Sequence, residues 1–381
     1  MTVVDLFSGC GGLSRGFLDA GCEVMLGIDT DQAALATFEK NHGFSKTLNA
    51  DVSSRQIIKA ISDATTNKPV DIIVGGPPCQ GFSLTGPRNF DDERNRLYLA
   101  HINVVKELRP KAFLVENVPG LLTLYGGRIR EEILRRFTSV GYNVSFKILC
   151  AADYGVPQMR KRVFFVGLRK EYGWFDFPSP THTPGNYVTC ADAIDDLPSR
   201  DDNPGQEEDD YDLPPRSSYQ AMMRKGSNKL FNHVATQHTQ MVKEVMTLVP
   251  EGGNYKDLPL GVGESRKFNE AWTRYHSKKP SRTIDTGHRN HFHYKYNRVP
   301  TVRENARLQS FPDSFVFYGN RTQKYRQVGN AVPPLLGYHL AKKLLYHLNA
   351  LHIEDDNRSD PPSEISSNGE EFQLFLELNN L

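Results

Sequence analysis

The chain has 381 residues, with 46 basic and 45 acidic side chains for a net charge of +1, and 38% of its residues are hydrophobic. This is the ordinary composition of a soluble globular protein, with room for one large core and a second, smaller domain. Near-neutral charge neither requires nor forbids nucleic acid, because local placement of charge decides that.

The five cysteines (Cys10, Cys22, Cys79, Cys150 and Cys190) are widely spaced and form no Cys-x-x-Cys pair. Reduced, cytoplasmic thiols and no zinc site are the expectation. The opening Met1-Thr2-Val3-Val4-Asp5 runs straight into a strand with no charged n-region or long apolar segment, so neither a signal peptide nor a membrane span is expected.

Thr2 to Phe7 reads as a first strand, broken by Ser8-Gly9-Cys10-Gly11-Gly12 and followed by a helix from Leu13 to Ala20. A strand, a Gly-rich turn and a helix form the nucleotide-cradling unit of doubly wound folds. Ser14 stands where a dinucleotide fingerprint needs its third glycine, which argues against a nicotinamide cofactor. The next strand, Glu23 to Ile28, ends in Asp29, about 20 positions beyond Gly9, where such folds place a carboxylate on ribose hydroxyls. Asp29 could instead cap the helix that starts near Gln32, but Asp31 suits that task better. Asp51 ends a third strand, as a ligand for an adenine amino group or as a cap.

The apolar run Val70-Asp71-Ile72-Ile73-Val74 predicts a buried parallel strand. Gly75-Gly76-Pro77-Pro78 stops it in a rigid turn, and Cys79-Gln80-Gly81-Phe82-Ser83 follows. A thiol presented there sits at the carboxyl end of a strand, where ligands gather in open α/β sheets. Gly86 to Arg96 has no hydrophobic period and reads as a mobile loop; Leu97 to Leu108 reads as a helix. The strand Ala112-Phe113-Leu114-Val115 then ends in Glu116, so an acid would stand beside the thiol. After a helix (128–140) and a strand (144–150), Arg160 and Arg162 alternate onto one face, able to reach one anion or simply to form a solvated basic edge.

From about Pro180 to Asn297 apolar periodicity is poor. Asp192 to Asp212 is acidic, with Arg200 its only base, and reads as a solvated, partly disordered insertion. Beyond it, basic residues from Arg266 to Arg298 interleave with Trp272, Tyr275, Phe292, Tyr294 and Tyr296, a mixture suited to phosphate and base edges. His288, His291 and His293 lack acidic or cysteine partners at metal-ligand spacing. Order returns with a helix from Val302 to about Ser310, capped by Thr301 and Glu304, and a last helix from Leu335 to Asn349. The acidic, Ser/Asn-rich end reads as a mobile tail.

Six segments together resemble the ordered motif set of the cytosine-5 DNA methyltransferases: Asp5-Leu-Phe-Ser-Gly-Cys-Gly-Gly, Gly76-Pro-Pro-Cys-Gln, Glu116-Asn-Val, Gln158-x-Arg-x-Arg, Thr301-Val-Arg-Glu-x-Ala-Arg-Leu-Gln-x-Phe-Pro and Gly329-Asn-Ala-Val-Pro-Pro. The lack of large additional domains makes the chain look like a bacterial restriction–modification enzyme. The resemblance implies an α/β fold: a doubly wound, mostly parallel sheet of the class I S-adenosylmethionine-dependent methyltransferase type, with a second, smaller, irregular target-recognition domain. It divides the chain into a catalytic part (1–179), a target-recognition part (180–297), a return to the catalytic part (298–350) and a tail (351–381).

The resemblance also implies the roles. Cys79 would be the nucleophile, Glu116 the acid on ring nitrogen 3, and Arg160 and Arg162 the groups orienting the ring oxygen and the flipped nucleotide's phosphate. S-adenosylmethionine, leaving as S-adenosylhomocysteine, would contact Phe7, Gly9, Gly11, Gly12, Leu13, Asp29, Thr30, Asp51, Val52, Pro77, Leu97, Asn330 and Ala331. Thr30 departs from members that stack an aromatic ring on the adenine. Double-stranded DNA with a flipped cytosine would meet Gln80, Ser83, Thr85, Arg94, Arg274, Arg282, Arg289 and Arg298. A monomer, no metal, and a cognate endonuclease acting on the same site complete the expectation. The family's tRNA-acting branch carries a Cys-Phe-Thr motif that is absent here. A nicotinamide oxidoreductase would explain the Gly-rich turn and none of the later motifs, and an inactive DNA-binding relative would not need Cys79, Glu116 and both arginines.

Overall fold

The computed structural model describes residues 1–78, 96–262, 271–287 and 289–350. Strands β1 (Thr2–Leu6), β2 (Glu23–Asp29), β3 (Lys46–Asn49), β4 (Ile72–Gly75), β5 (Ala112–Asn117), β6 (Tyr142–Cys150) and β7 (Lys161–Arg169) form one sheet in the order β3-β2-β1-β4-β5-β7-β6. β1 to β5 pair in parallel, while β7 lies antiparallel between β5 and β6. The continuous apolar runs are explained by burial on both faces: Ile72, Ile73 and Val74 are all fully buried.

Alternate side chains of each strand feed two cores. On one face, Val4, Ile73 and Phe113 meet α3 (Ile57–Ala64), α4 (Arg96–Leu108) and α5 (Arg128–Ser139) through Ile61, Val105, Ile133 and Phe137. On the other, Val3, Val74 and Leu114 meet α1 (Gly12–Asp19), α2 (Gln32–Asn41) and, from the far end of the sequence, α11 (Pro334–Ala350) through Phe17, Phe38, Leu340 and Leu344. The expected doubly wound sheet is therefore present. The strand order reverses between the parallel neighbours β1 and β4, which opens a crevice at their carboxyl ends.

A third core lies to the side. Short elements α6 (Cys190–Ile194), α7 (Ser218–Arg224) and the pair β8 (Glu208–Asp209) and β9 (Leu230–Phe231) pack with α9 (Val302–Leu308) and α10 (Arg321–Asn330) through Ile194, Tyr219, Met223, Ala306, Phe311 and Val328. α8 (Gln240–Leu248) adds Met246 to a small cluster with Phe292 and Val299. The boundary expected at residue 297 thus falls inside a continuous core: α9 and α10 pack with the irregular region, and α11 packs on the sheet. Thr301 and Glu304 do form the capping box of α9, and Asp31 caps α2.

The acidic stretch is a correction. Residues 192 to 212 are folded, because their acids find partners both within the stretch, at Arg200, and outside it, at Arg216, Arg224 and Arg307. Asp192 completes a capping box with Thr189, Asp195 pairs with Arg216 at 2.9 Å, and Asp209 pairs with Arg200 at 2.7 Å. Asp196 is fully buried between Arg224 and Arg307, and Arg307 also binds Asp313 at 2.6 Å. Buried charges survive when paired and hydrogen-bonded in this way.

Candidate active site

The crevice at the carboxyl ends of β1, β2, β4 and β5 opens into a cavity of about 850 Å³. One half is built by the Gly-rich turn. Phe7 adopts a left-handed conformation (φ 59°) as β1 ends, and the Gly9 amide donates to Asp29 Oδ2 at 2.8 Å while the Asp31 amide donates to Oδ1 at 2.9 Å. Asp29 therefore ties the turn to the end of β2, with its carboxylate on the cavity wall. Asp51 is held by the Ser53 amide at 2.8 Å and hydroxyl at 2.6 Å. Phe7, Gly9, Gly12, Leu13, Asp29, Thr30, Asp51, Val52, Pro77, Leu97, Asn330 and Ala331 all line this cavity.

Gly11 departs from the expectation. It does not line the cavity but caps α1 at φ 87°, and a Cβ there would stand 2.3 Å from the His42 ring and 2.6 Å from the Phe38 ring. Its placement serves the packing of α1 against α2. Asp5, which sequence reading used only as part of a motif, also reaches the cavity. Burial pushes its carboxyl up to about 7 against the 2.5 Å hydrogen bond from Ser14 Oγ.

The other half holds an acid. Glu116 stands at the end of β5 beside the turn after β4, where a Cβ on Gly76 would be 2.9 Å from Glu116 Oε2. Arg162 Nε pairs with its Oε1 at 2.9 Å, and both side chains are largely buried. Burial raises the Glu116 pKa, and the charges of Arg162 and Arg160 offset only part of the rise. Asn117, a residue that sequence reading left without a role, donates from Nδ2 to the Pro77 carbonyl at 3.0 Å and so fixes the turn leading to position 79. Cys79, Gln80, Ser83, Thr85 and Arg94 lie outside the described residues, as does the loop reading at 86–95.

The family model for C-5 cytosine-specific DNA methylases matches residues 1–346 of the chain. The chain belongs to this family. It is 40% identical over 356 residues to the type II methyltransferase M1.HphI of Haemophilus parahaemolyticus, spanning 91% of this chain and 87% of the relative. It is 36% identical over 385 residues to M.DdeI of Desulfomicrobium norvegicum, spanning 94% and 91%. Its fold superimposes with a TM-score of 0.73 and 31% identity on a protein described as a DNA modification methyltransferase encoded within an E. coli prophage, over 92% of this chain and 99% of that one. This is a C-5 cytosine DNA methyltransferase of the restriction–modification type.

Several arginines of the methylase take unexpected places. Arg160 lines the cavity but is 1% exposed, and it donates from Nη2 to the Gly329 carbonyl at 2.9 Å and from Nη1 to the Ile284 carbonyl at 3.5 Å. Burial, more than the like charge of Arg162, pushes its guanidinium below the ordinary value; it still keeps its proton at neutral pH. Arg274 and Arg298, expected on DNA, are buried instead. All five N–H directions of Arg274 meet acceptors, among them the carbonyls of Val249, His293 and Met246 and the side chain of Asn297. Arg298 makes a two-pronged pair with Glu304 at 2.6 and 2.7 Å. Arg282 and Arg289 are exposed on the same segment.

His291 bonds the Tyr275 hydroxyl at 3.2 Å and His293 lies 3.6 Å from Glu304, while His288 is outside the described residues. No group of three potential metal ligands occurs among the described residues. Among them, too, no helix is long and apolar enough to cross a membrane. Thr283 to Thr286, with Arg326 and Gln327 of α10, complete the cavity wall; no motif in the sequence singled them out.

Proposed function

We propose that this methylase transfers the methyl group of S-adenosylmethionine to carbon 5 of a cytosine in a specific double-stranded DNA sequence, with Cys79 adding to carbon 6 of a base flipped out of the duplex. The observation that carries the reading is the buried Glu116–Arg162 pair on the same cavity wall as the Gly-rich turn, Asp29 and Asp51. Carbon 5 of cytosine is too poor a nucleophile to take a methyl group unaided. Addition of the Cys79 thiolate to carbon 6 makes carbon 5 enamine-like, and the ring nitrogens must then absorb negative charge. Glu116, whose burial favours the protonated form, would hydrogen-bond ring nitrogen 3 and offset that charge. Arg162, fixed by Glu116, would orient the ring oxygen.

The residues present fit the cofactor. A cavity of about 850 Å³ has the size of a nucleotide-scale ligand site. Asp29 would meet the ribose hydroxyls and Asp51 would accept from the adenine amino group, while Leu97, Asn330 and Ala331 line the same cavity. When bound, S-adenosylmethionine supplies an electrophilic methyl group. Flipping the base costs roughly a few kcal/mol, which contacts from the segment 81–96 would offset. The chain would act as a monomer, paired with an endonuclease of the same site.

The test uses duplex DNA with 5-fluorocytosine at the target. Methyl transfer there leaves fluorine where a proton would normally depart from carbon 5, so the thiolate cannot be expelled. A denaturation-resistant protein–DNA adduct is expected only with S-adenosylmethionine present, and Cys79→Ser should abolish it. An adduct mapped to Cys10, Cys22, Cys150 or Cys190, or a Cys79→Ala protein that still methylates, would overturn the mechanism.

A further inference from the structure

Two segments distant in the sequence converge on the buried guanidinium of Arg160, which itself leads into β7. The first is the end of α10, whose last carbonyls have no partner within the helix. Arg160 Nη2 caps the Gly329 carbonyl at 2.9 Å, at the negative end of that helix. The next two residues, Asn330 and Ala331, belong to the cavity wall.

The second is the recognition strip 281–286. It is laced to 157–160 by main-chain and side-chain bonds: Ser281 N to the Pro157 carbonyl at 2.9 Å, Met159 N to the Ser281 carbonyl at 2.8 Å, and Ile284 N to Gln158 Oε1 at 3.1 Å. Arg160 Nη1 adds a long contact to the Ile284 carbonyl. Strip and helix end also touch directly, since a Cβ on Gly329 would stand 2.2 Å from the Asp285 carbonyl. Arg160 is followed directly by β7, in which Arg162 holds Glu116.

We propose that Arg160 is a positioning residue rather than a DNA contact: it locks the recognition strip and the 329–331 wall to the strand that carries Arg162. Its planar fork can serve carbonyls arriving from two segments at once, which a lysine ammonium on its flexible stem cannot reproduce. Displacement of the strip then disturbs the cofactor wall and the Glu116–Arg162 pair together. The proposal rests on S-adenosylmethionine occupying the cavity.

Calorimetric binding of S-adenosylhomocysteine, and the salt dependence of binding to a duplex that the wild type methylates, test it with Arg160→Met and Arg160→Lys. Both variants should bind S-adenosylhomocysteine roughly tenfold more weakly, the scale of losing hydrogen bonds to a charged donor. The slope of log affinity against log salt should stay at the wild-type value in Arg160→Met. A phosphate contact would instead lower that slope by about one unit while sparing the cofactor, and that result overturns the proposal. Should Arg160→Met not fold, Arg160→Lys decides: it keeps the charge but not the fork, so unchanged cofactor affinity in it refutes the positioning role. Failure of the wild type to bind S-adenosylhomocysteine would sink the reading of the cavity; equal binding by wild type and both variants would sink only the role given to Arg160.

Discussion

Mild acid should destabilise this methylase through His101, and His101→Leu should remove that share of the loss. His101 lies on α4, fully buried, edge-on to Phe137 at 6.4 Å between ring centroids, and neither ring nitrogen has a hydrogen-bond partner among the described residues. Burial lowers its pKa from 6.5 to about 3. A group whose folded pKa is depressed contributes stability that is present above its unfolded value and lost as pH falls toward the folded one. The window is therefore from about pH 6.5 down to about pH 3. At about pH 5 the unfolded chain is already protonated there and the folded chain is not, which costs about 2 kcal/mol. Against a typical stability of about 5–15 kcal/mol that is a large loss.

Leucine fills a comparable volume and has no nitrogen to leave unpaired, a defect worth roughly 1–3 kcal/mol in the wild type. The variant should thus equal or exceed the wild type near neutral pH and pull further ahead near pH 5. Urea unfolding at the two pH values measures both quantities. His42, His233 and His293 are also buried with lowered pKa values, but they are common to both proteins and cancel in the difference. A variant that loses as much stability between the two pH values as the wild type would refute the reasoning.

Four further outcomes are expected. Glu116→Gln keeps the shape of the acid but has no acidic proton, so single-turnover methylation should slow by about 10²–10⁴-fold while S-adenosylhomocysteine still binds; unchanged turnover would remove Glu116 from the mechanism. Gly11→Ala forces a Cβ into the His42 and Phe38 rings at a positive φ, and should cost roughly 1–3 kcal/mol in urea unfolding and weaken cofactor binding. Asp196→Ala leaves Arg307 and Arg224 partly unpaired in a buried site; a loss of about 3–5 kcal/mol in chemical denaturation is expected, and a neutral result would show that Asp313 suffices alone. Replacing residues 180–297 with the matching segment of a relative should transfer that relative's DNA site, as read by bisulfite sequencing; an active hybrid with the original site would place recognition elsewhere.

Much of the sheet and its crevice was legible because it depends on local rules. Unbroken apolar runs announce strands buried on both faces, as in Ile72 to Val74 and Ala112 to Val115. Thr301-x-x-Glu304 and Asp31 act within one helical turn, so their capping was readable from spacing alone. Glu116 and the Gly-rich turn were readable as well, since strand ends in a parallel sheet share one edge.

Other features were decided by partners distant in the chain. Arg274 and Arg282 look alike in sequence, yet the first is wrapped by carbonyls from 246 to 296 and the second is exposed. Asp196 of the acidic stretch stays buried because Arg307, 111 positions further on, pairs with it in the core. Arg160 faces a helix end rather than solvent because α10 and the 281–286 strip fold back over it. Periodicity and capping are encoded over a few residues, whereas the burial of a charge depends on which remote acceptors the fold brings within about 3 Å.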